Sequence, residues 1–176
     1  MELRAVRGRP VITVDNGERL GEIQDVFIDP QHRRVAILRI RRTSGDTNDV
    51  TFEDVHSIGA DAVMLPSREV LRLAGDHSQA LLDIDEFVRL RVVTEQGEAR
   101  GTVDDAAFDP ISGALTALVV SPAGIGGLLG RRQSVPIDQV RTIGRDVVVL
   151  IVPPPEAAEQ EASSGDRGSA ASAEAQ

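Results

Sequence analysis

The sequence contains no cysteine, lysine, tryptophan or tyrosine, and phenylalanine occurs only four times among its 176 residues. Without cysteine, disulfide scaffolds, zinc-thiolate sites and cysteine nucleophiles are excluded. Without lysine, Schiff-base chemistry and P-loop phosphate binding are excluded as well. What remains is mostly binding, so we expect a non-enzymatic protein without a cofactor.

Acidic side chains outnumber basic ones, 28 against 19, and every basic residue is arginine. The formal net charge of −9 gives a surface that repels phosphate backbones, so we expect no DNA binding. The longest aliphatic run, Val147–Val152, is far too short for a membrane span, and the N-terminus lacks a signal peptide. We therefore expect a bacterial protein in the cytoplasm, without membrane insertion.

The chain repeats itself. A shift of 80 residues aligns residues 11–40 with 91–120 without a gap, and a shift of 85 aligns residues 50–65 with 135–150. We predict two domains, a first copy at residues 5–74 and a second copy at 87–153, with a linker at 75–86. Residues 154–176, rich in Ala, Glu, Ser and Gly, are predicted to form a disordered acidic tail.

Each copy consists of short runs rich in β-branched residues, separated by turn residues. This pattern predicts an all-β protein of two tandem small antiparallel barrels. Asn16-Gly17 is typical of a tight hairpin, and Asp29-Pro30 and Asp109-Pro110 are typical of turns.

Two local features break the simple pattern. Ile23, Val26 and Ile28 cannot share one face of a strand at period two, so we predict a β-bulge at Gln24-Asp25, repeated at Asp104-Asp105 in the second copy. In the linker, we expect Asp76 or Ser78 to cap one helical turn, and Leu81, Leu82 and Ile84 to need burial.

The segment Gly21–Pro30, followed by Val35–Ile40 and by residues 55–65, resembles a PRC-barrel domain. The second copy matches again through residues 101–110, 115–121, 127–132 and 135–150. The resemblance implies an all-β barrel of the kind found in the photosynthetic reaction-centre H subunit and in the ribosome maturation factor RimM. It also implies binding to proteins or ribonucleoprotein, and it brings no catalytic residues.

Two regions are candidates for partner binding. The glycine-rich loop between two predicted strands of the second copy lacks the spacing of a phosphate cradle but carries apolar and cationic side chains. Its candidate contact residues are Ile125, Leu128, Leu129, Arg131 and Arg132. The other region is a basic face of the first copy, formed by Arg39, Arg41 and Arg42 near His32-Arg33-Arg34. A plain solvated face, paired with acids such as Glu18 and Glu22, is the alternative for these arginines.

The recurring acids at positions 25, 29, 104, 105 and 109 match no EF-hand spacing, so no metal site is expected. The function we predict is a cytoplasmic adaptor that binds protein partners of unknown identity, with self-association left open. The alternatives are a ribosome-assembly or RNA-associated factor similar to RimM, which would bind the small ribosomal subunit, and a reaction-centre-like accessory protein. A further alternative, an enzyme or small-ligand protein, requires a polar pocket of roughly 300 Å³ or more between the copies.

Overall fold

A computed structural model describes residues 1–122 and 132–151. The first copy contributes strands β1 (Pro10–Thr13), β2 (Arg19–Asp29), β3 (Arg34–Arg42), β4 (Thr47–Thr51), β5 (Ser57–Ile58), β6 (Val63–Leu65) and β7 (Arg72–Leu73). There follow β8 (Leu82–Asp83), helix α1 (Ile84–Phe87), β9 (Arg91–Thr94), β10 (Ala99–Phe108), β11 (Leu115–Pro122), β12 (Gln133–Pro136), β13 (Val140–Ile143) and β14 (Val147–Leu150). Short 3₁₀ turns lie at Arg4–Val6, Phe52–Asp54, Arg68–Val70 and Ile137–Gln139. The protein is therefore almost entirely β, as the sequence pattern predicts.

The strands form two sheets, one for each copy. The first has the order β5-β6-β1-β2-β3-β4-β7 with β8 paired to the end of β2, and the second has the order β12-β11-β10-β9-β14-β13. The prediction of wholly antiparallel sheets is wrong in one respect, because β1 pairs with β6, and β9 with β14, in parallel. In each copy the chain crosses to the far side of the first strand and forms a hairpin there. The second strand of that hairpin therefore runs in the direction of the first strand of the copy.

The predicted turns are confirmed. Gly17 adopts a φ of 70° and its N–H donates to the Thr13 carbonyl at 3.1 Å, which closes the hairpin between β1 and β2. The Asp29 carboxylate accepts from the Gln31 and His32 N–H groups at 2.9 and 3.0 Å. The Asp109 carboxylate likewise accepts from Ile111 at 2.9 Å. A carboxylate that satisfies the turn backbone explains why both copies have Asp-Pro here.

The predicted bulges are also confirmed. The register of β2 against β3 shifts between Ile23 and Asp25, and that of β10 against β11 shifts between Val103 and Asp105. Each extra residue resets the alternation, so Ile23, Val26 and Ile28 are all buried, as are their second-copy counterparts. The bulge Asp accepts from the next backbone N–H, at 2.8 Å for Asp25 and 2.7 Å for Asp105.

The predicted linker is part of the fold. Leu82 and Ile84 are buried, as expected, while Leu81 is half-buried. The expected cap at Asp76 is confirmed, because its carboxylate accepts from the Ser78 N–H at 3.0 Å at the start of a single turn in which the Leu81 N–H donates to the His77 carbonyl at 2.9 Å. The helix α1 follows further along the chain, and Asp83 caps it by accepting from the Glu86 N–H at 2.8 Å. The helix forms at Asp83 because it is the acidic residue just before the apolar pair Ile84 and Phe87, which point into the core.

The segments that precede the two copies are exchanged between them. We call residues 1–9 the first arm and residues 82–90 the second arm. In the first arm, Leu3 donates its N–H to the Ala106 carbonyl of β10 at 2.9 Å, and the Phe108 N–H donates to the Met1 carbonyl at 2.8 Å. In the second arm, β8 pairs with Phe27 and Ile28 of β2. Each copy therefore completes the sheet of the other.

The copies also meet at a point of local two-fold symmetry. The Val35 N–H donates to the Gly113 carbonyl, and the Leu115 N–H donates to the Arg33 carbonyl, both at 2.8 Å. Residues 35 and 115, and 33 and 113, are related by the shift of 80 that aligns the copies. Paired residues that exchange roles in this way are typical of a two-fold interface between identical subunits, here contained in one chain.

The hydrophobic core runs continuously through both copies. The most buried side chains of the two arms, Leu3, Val6, Ile84 and Phe87, belong to it. At the boundary, the rings of Phe52 and Phe108 pack edge to face, with centroids 6.3 Å apart. Burial on this scale makes the two copies a single packed unit rather than modules joined by a free linker.

Candidate partner-binding surface

Arg39 lies on the outer face of β3, and the linker covers it there. Its guanidinium donates to both carboxylate oxygens of Asp49, at 2.8 and 3.0 Å, and to the Gly75 carbonyl at 2.6 Å. It also stacks 4.7 Å from the centre of the Phe27 ring. The His77 Nε2 atom lies 2.8 Å from Asp49. Arg39 therefore fastens the linker to the first sheet, and its charge is already balanced.

Asp49 is 4% exposed and stays ionised in this setting. Burial opposes the charged form, but hydrogen bonds from Arg39, the Gly75 N–H and His77 outweigh it, so the pKa of Asp49 lies below its usual value. The bond to Asp49 is also the main reason why the pKa of Arg39 is raised. This is a structural ion pair rather than a binding site.

Arg41 and Arg42 line a cavity that does not include Arg39. Together with Arg19 they line a cavity of about 270 Å³ whose other walls are Gly21, Glu22 and Thr43. We call these three arginines and their cavity the arginine groove. Arg19 and Arg41 are exposed and Arg42 is half-buried. Within the described part of the chain, the Nε of Arg42 is buried without a hydrogen-bond partner, as are the Nε atoms of Arg7 and Arg34.

One carboxylate enters the arginine groove. Arg41 donates to Glu22 on the neighbouring strand, and this hydrogen bond and charge hold the pKa of Glu22 below its usual value. With three guanidinium groups and one carboxylate, the groove keeps an excess of two positive charges. Gly21 forms its floor, where a Cβ atom would collide with the Arg41 carbonyl. The geometry suits an anion with several oxygen acceptors, since guanidinium groups bind carboxylates and phosphates through paired donors.

At the described positions of the second copy, the arginine groove has no equivalent. The shift of 80 places Ala99, Ser121 and Pro122 at the positions of Arg19, Arg41 and Arg42. The close backbone approach persists, because a Cβ on Gly101 would collide with the Ser121 carbonyl. The two copies thus share a backbone and differ in surface chemistry.

The rest of the predicted basic face is used internally. Arg33 donates to the Ile137 and Arg141 carbonyls of the second copy at 3.3 and 2.9 Å. Arg34 pairs with Glu53 at 3.2 Å, and His32 lies 2.7 Å from Asp29. These side chains secure turns and the boundary between copies. Sequence proximity therefore overstated the size of the basic surface.

The predicted contact residues of the glycine-rich loop, Ile125, Leu128, Leu129 and Arg131, lie outside the described residues. Arg132 is described, and its Nε lies 2.8 Å from the Asp104 carboxylate of the neighbouring bulge. The structure thus brings Arg41 and Arg42 together, sets Arg39 apart, and places Arg132 on the second sheet.

A polar cavity does lie between the copies. It has a volume of about 410 Å³ and is lined by residues 29–31, 79–81 and 143–145. Its charged side chains, Asp29 and Arg145, are held by the turn at Pro30 and by a bond of 2.5 Å from Arg145 to the Ser78 carbonyl.

Within residues 1–122 and 132–151, no group of three or more His, Cys, Asp or Glu side chains is placed to hold a metal ion.

Sequence reasoning missed Arg19 and the exchange of arms. Arg19 begins β2, and only the register of β2 against β3 brings it beside Arg42. The arms carried a weak signal, since Leu3 and Val6 repeat the spacing of Ile84 and Phe87, although one residue out of step with the shift of 80 that aligns the copies. That signal indicates two buried residues per arm but not which sheet buries them.

Two similar sheets with bulged second strands, repeated in one chain, define a tandem β-domain protein. The model of the PRC-barrel domain matches the chain twice, at residues 1–72 and 81–154. The chain therefore belongs to the PRC-barrel domain family, as a tandem member, and domains of this family often take part in protein interactions. No curated protein shows significant similarity to the chain. None of the helices in the described ranges is long and apolar enough to cross a bilayer.

Proposed function

We propose that this protein is a non-enzymatic cytoplasmic adaptor and that its arginine groove binds an acidic segment of a protein partner. The observation that carries the proposal is the convergence of Arg19, Arg41 and Arg42 on one cavity. We further propose that each sheet closes on itself as a small barrel, which would give the groove a rigid wall.

Electrostatics supports the arginine groove as the docking point for an acidic segment. The chain as a whole carries a net charge of −9, so an acidic partner is repelled by most of the surface and attracted to the groove. Such a contrast favours one orientation of encounter and raises specificity. Carboxylates on an extended segment can replace water around the three guanidinium groups, and each bidentate contact adds a charge-assisted hydrogen bond.

A pull-down from the native cytoplasm tests this proposal. The tag belongs at the C-terminus, because the amino group of Met1 donates to the Phe108 carbonyl at 2.9 Å. We expect the wild-type protein to recover a discrete set of proteins that survives nuclease, and the triple variant Arg19→Gln, Arg41→Gln and Arg42→Gln to lose it. The matched control, Arg89→Gln, Arg91→Gln and Arg100→Gln, removes the same charge from exposed positions of the second arm and second copy. It should retain the set.

The same experiment separates the second candidate, an RNA-associated assembly factor, which the excess positive charge of the groove also favours. Such a factor would recover ribosomal proteins that disappear with nuclease and fall steeply with salt. Recovery of membrane pigment proteins would indicate the reaction-centre role. An identical set from the wild-type protein and the groove variant would refute the proposed contact.

A further inference from the structure

The two copies differ at one edge of their sheets. In the first copy, the outer edge of β4 is covered by β7, which pairs Leu73 with Asn48 and Arg72 with Asp49. In the second copy, β12 occupies the place of β4 and pairs with β11 in the corresponding register. No segment within residues 1–122 and 132–151 pairs with the outer edge of β12. An uncovered strand edge presents backbone donors and acceptors that can bind another strand.

The backbone groups that face outward can be identified. The Arg42 N–H donates to the Asp46 carbonyl at 2.8 Å, and because bonding alternates along an antiparallel pair, Asp49 directs its backbone away from β3 and toward β7. Asp49 corresponds to Ser134 under the shift of 85. The N–H and carbonyl of Ser134 therefore lie on the open edge, beside an exposed hydroxyl side chain.

The side chains around this edge also differ. The first copy fills the corner above β4 with Phe27, Arg39 and His77, which cluster around Asp49. At the positions of Phe27 and Arg39 the second copy has Ala107 and Val119, both half-buried. The side chains at these two positions of the second copy are therefore small, apolar and uncharged. In the first copy, the same place holds the ion pair of Arg39 with Asp49, which fastens the linker over the sheet.

A specific amide is available to fix the position of a docked strand. In the first copy the Asn48 side chain donates from Nδ2 to the Arg72 carbonyl at 2.9 Å, which bonds the covering strand. Gln133 takes the position of Asn48 in the second copy, keeps the amide and is exposed. The second copy therefore retains the means to bind a strand.

The sequence after β14 does not supply the strand that the first copy uses. β7 is preceded by Val70 and Leu71, which pack against the core, and the shift of 85 places Pro155 and Glu156 there. The same shift places Ala157 and Ala158 at the positions of β7, and residues 153–176 contain no β-branched or aromatic residue, a composition that disfavours a strand. The occupant of the edge should therefore come from another protein.

We propose that the outer edge of β12 is a docking site for an extended segment of a partner protein, which adds a strand to the second sheet. The segment would bond Ser134 through its backbone, accept from the Gln133 amide and place one aliphatic side chain over Val119. This inference rests on the proposed adaptor function and gives it a second contact, distinct from the arginine groove.

The probe is a synthetic peptide with the sequence of residues 68–75, the segment that contains β7. It is titrated into the full isotope-labelled chain and followed by amide NMR. We expect shifts confined to β12 and to the adjoining part of β11, with half-saturation on the order of 1 mM. A control peptide that carries Arg72→Pro lacks one strand N–H and should give no such shifts. Because the substitution is in the peptide, the labelled protein is identical in both titrations.

Two protein variants complete the test. Ser134→Pro removes the outward N–H and should abolish the shifts, whereas Ser134→Thr keeps it and should retain them. The proposal is overturned if the peptide causes no shifts, if the shifts lie elsewhere, or if they appear only after residues 153–176 are deleted. The last result would mean that the chain covers its own edge.

The outcome is independent of the arginine groove. If the groove variant loses its partners while the peptide fails to bind, the adaptor function stands and the strand-docking site falls. If the peptide binds at β12 while the groove variant keeps all of its partners, the groove contact falls and the docking site stands.

Discussion

Arg34 lies directly opposite Ala114 across the boundary between the copies, and the shift that aligns the copies makes Ala114 the counterpart of Arg34. A residue that pairs with its own counterpart marks the axis of a two-fold relation. The two copies are therefore packed as the subunits of a dimer would be, with the exchanged arms on either side.

Loss of a buried arm side chain should destabilise the whole molecule. Leu3→Ala removes a fully buried side chain from the shared core and should lower the free energy of unfolding by about 2 to 5 kcal/mol. The matched control Leu73→Ala truncates a side chain that is 89% exposed and should change it by less than about 0.5 kcal/mol. Urea unfolding followed by far-UV circular dichroism measures both. Two separate transitions in the Leu3→Ala protein would contradict a shared core.

Gly113 should be intolerant of a side chain. Its φ is +75°, and a Cβ atom there would lie 2.8 Å from the Phe52 ring, which is itself packed against Phe108. Gly45 has a comparable φ of +94° with nothing within 4 Å. We expect Gly45→Ala to cost about 1 kcal/mol for the backbone alone, and Gly113→Ala to cost about 1 to 3 kcal/mol more. Equal shifts of the thermal midpoints of Gly45→Ala and Gly113→Ala would show that the Phe52 ring moves aside without an energetic cost.

Arg39 and Arg41 lie two residues apart on β3, and their replacement should destabilise the protein to very different extents. Arg39→Ala leaves Asp49 buried without its main partner and should cost about 3 to 5 kcal/mol. Arg41→Ala breaks an exposed pair with Glu22 and should cost less than about 1 kcal/mol. Chemical unfolding of both variants tests this difference. A small effect at Arg39 would mean that the linker is not held by this cluster.

Asp105 should limit stability at neutral pH. Burial raises its pKa, and backbone N–H groups of Ala106 and Arg4 offset this only partly. An acid whose pKa is raised by folding binds more protons in the native state, so its contribution to stability falls as the pH rises from its ordinary value of 3.8 through the folded value. Asp105→Asn keeps an oxygen acceptor and should raise the unfolding midpoint at pH 7.

The pH profile supplies the control for this prediction. The advantage of Asp105→Asn over the wild-type protein should shrink as the pH is lowered below the folded pKa of Asp105. Asp49, whose pKa is lowered, behaves in the opposite sense, because its contribution is present above 3.8 and is lost as the pH falls through its folded value. If the difference in unfolding midpoint between Asp105→Asn and the wild-type protein is constant from pH 3 to pH 7, the burial of Asp105 is ruled out as its cause.

Local patterns predicted the local structure. The Asn-Gly hairpin, the Asp-Pro turns and the bulges at Asp25 and Asp105 each depend on residues within a few positions of one another, so the sequence carries the full signal. The parallel pairing of β1 with β6 and the pairing of Glu2 with Ala107 join distant segments. Nothing in the neighbourhood of Glu2 specifies which sheet receives it.

The candidate site was predicted only in part, because it too depends on contacts between distant segments of the chain. Strand alternation correctly placed Arg39 on the face opposite the buried Leu38 and Ile40. It did not show that the linker returns over this face and buries Asp49 beside it. Arg41 and Arg42 remained in the site, while Arg19 joined it only through strand pairing.

The exchange of arms has a consequence for synthesis on the ribosome. The first sheet lacks β8 until residues 82–83 have emerged, and the first arm lacks its partner on β10 until residues 106–108 have followed. The first arm is thus translated about 100 residues before the part of β10 to which it bonds. Translation must deliver residues up to Asp83 before the first sheet is complete and up to Leu150 before the second is, so the first copy cannot complete its sheet from its own residues alone.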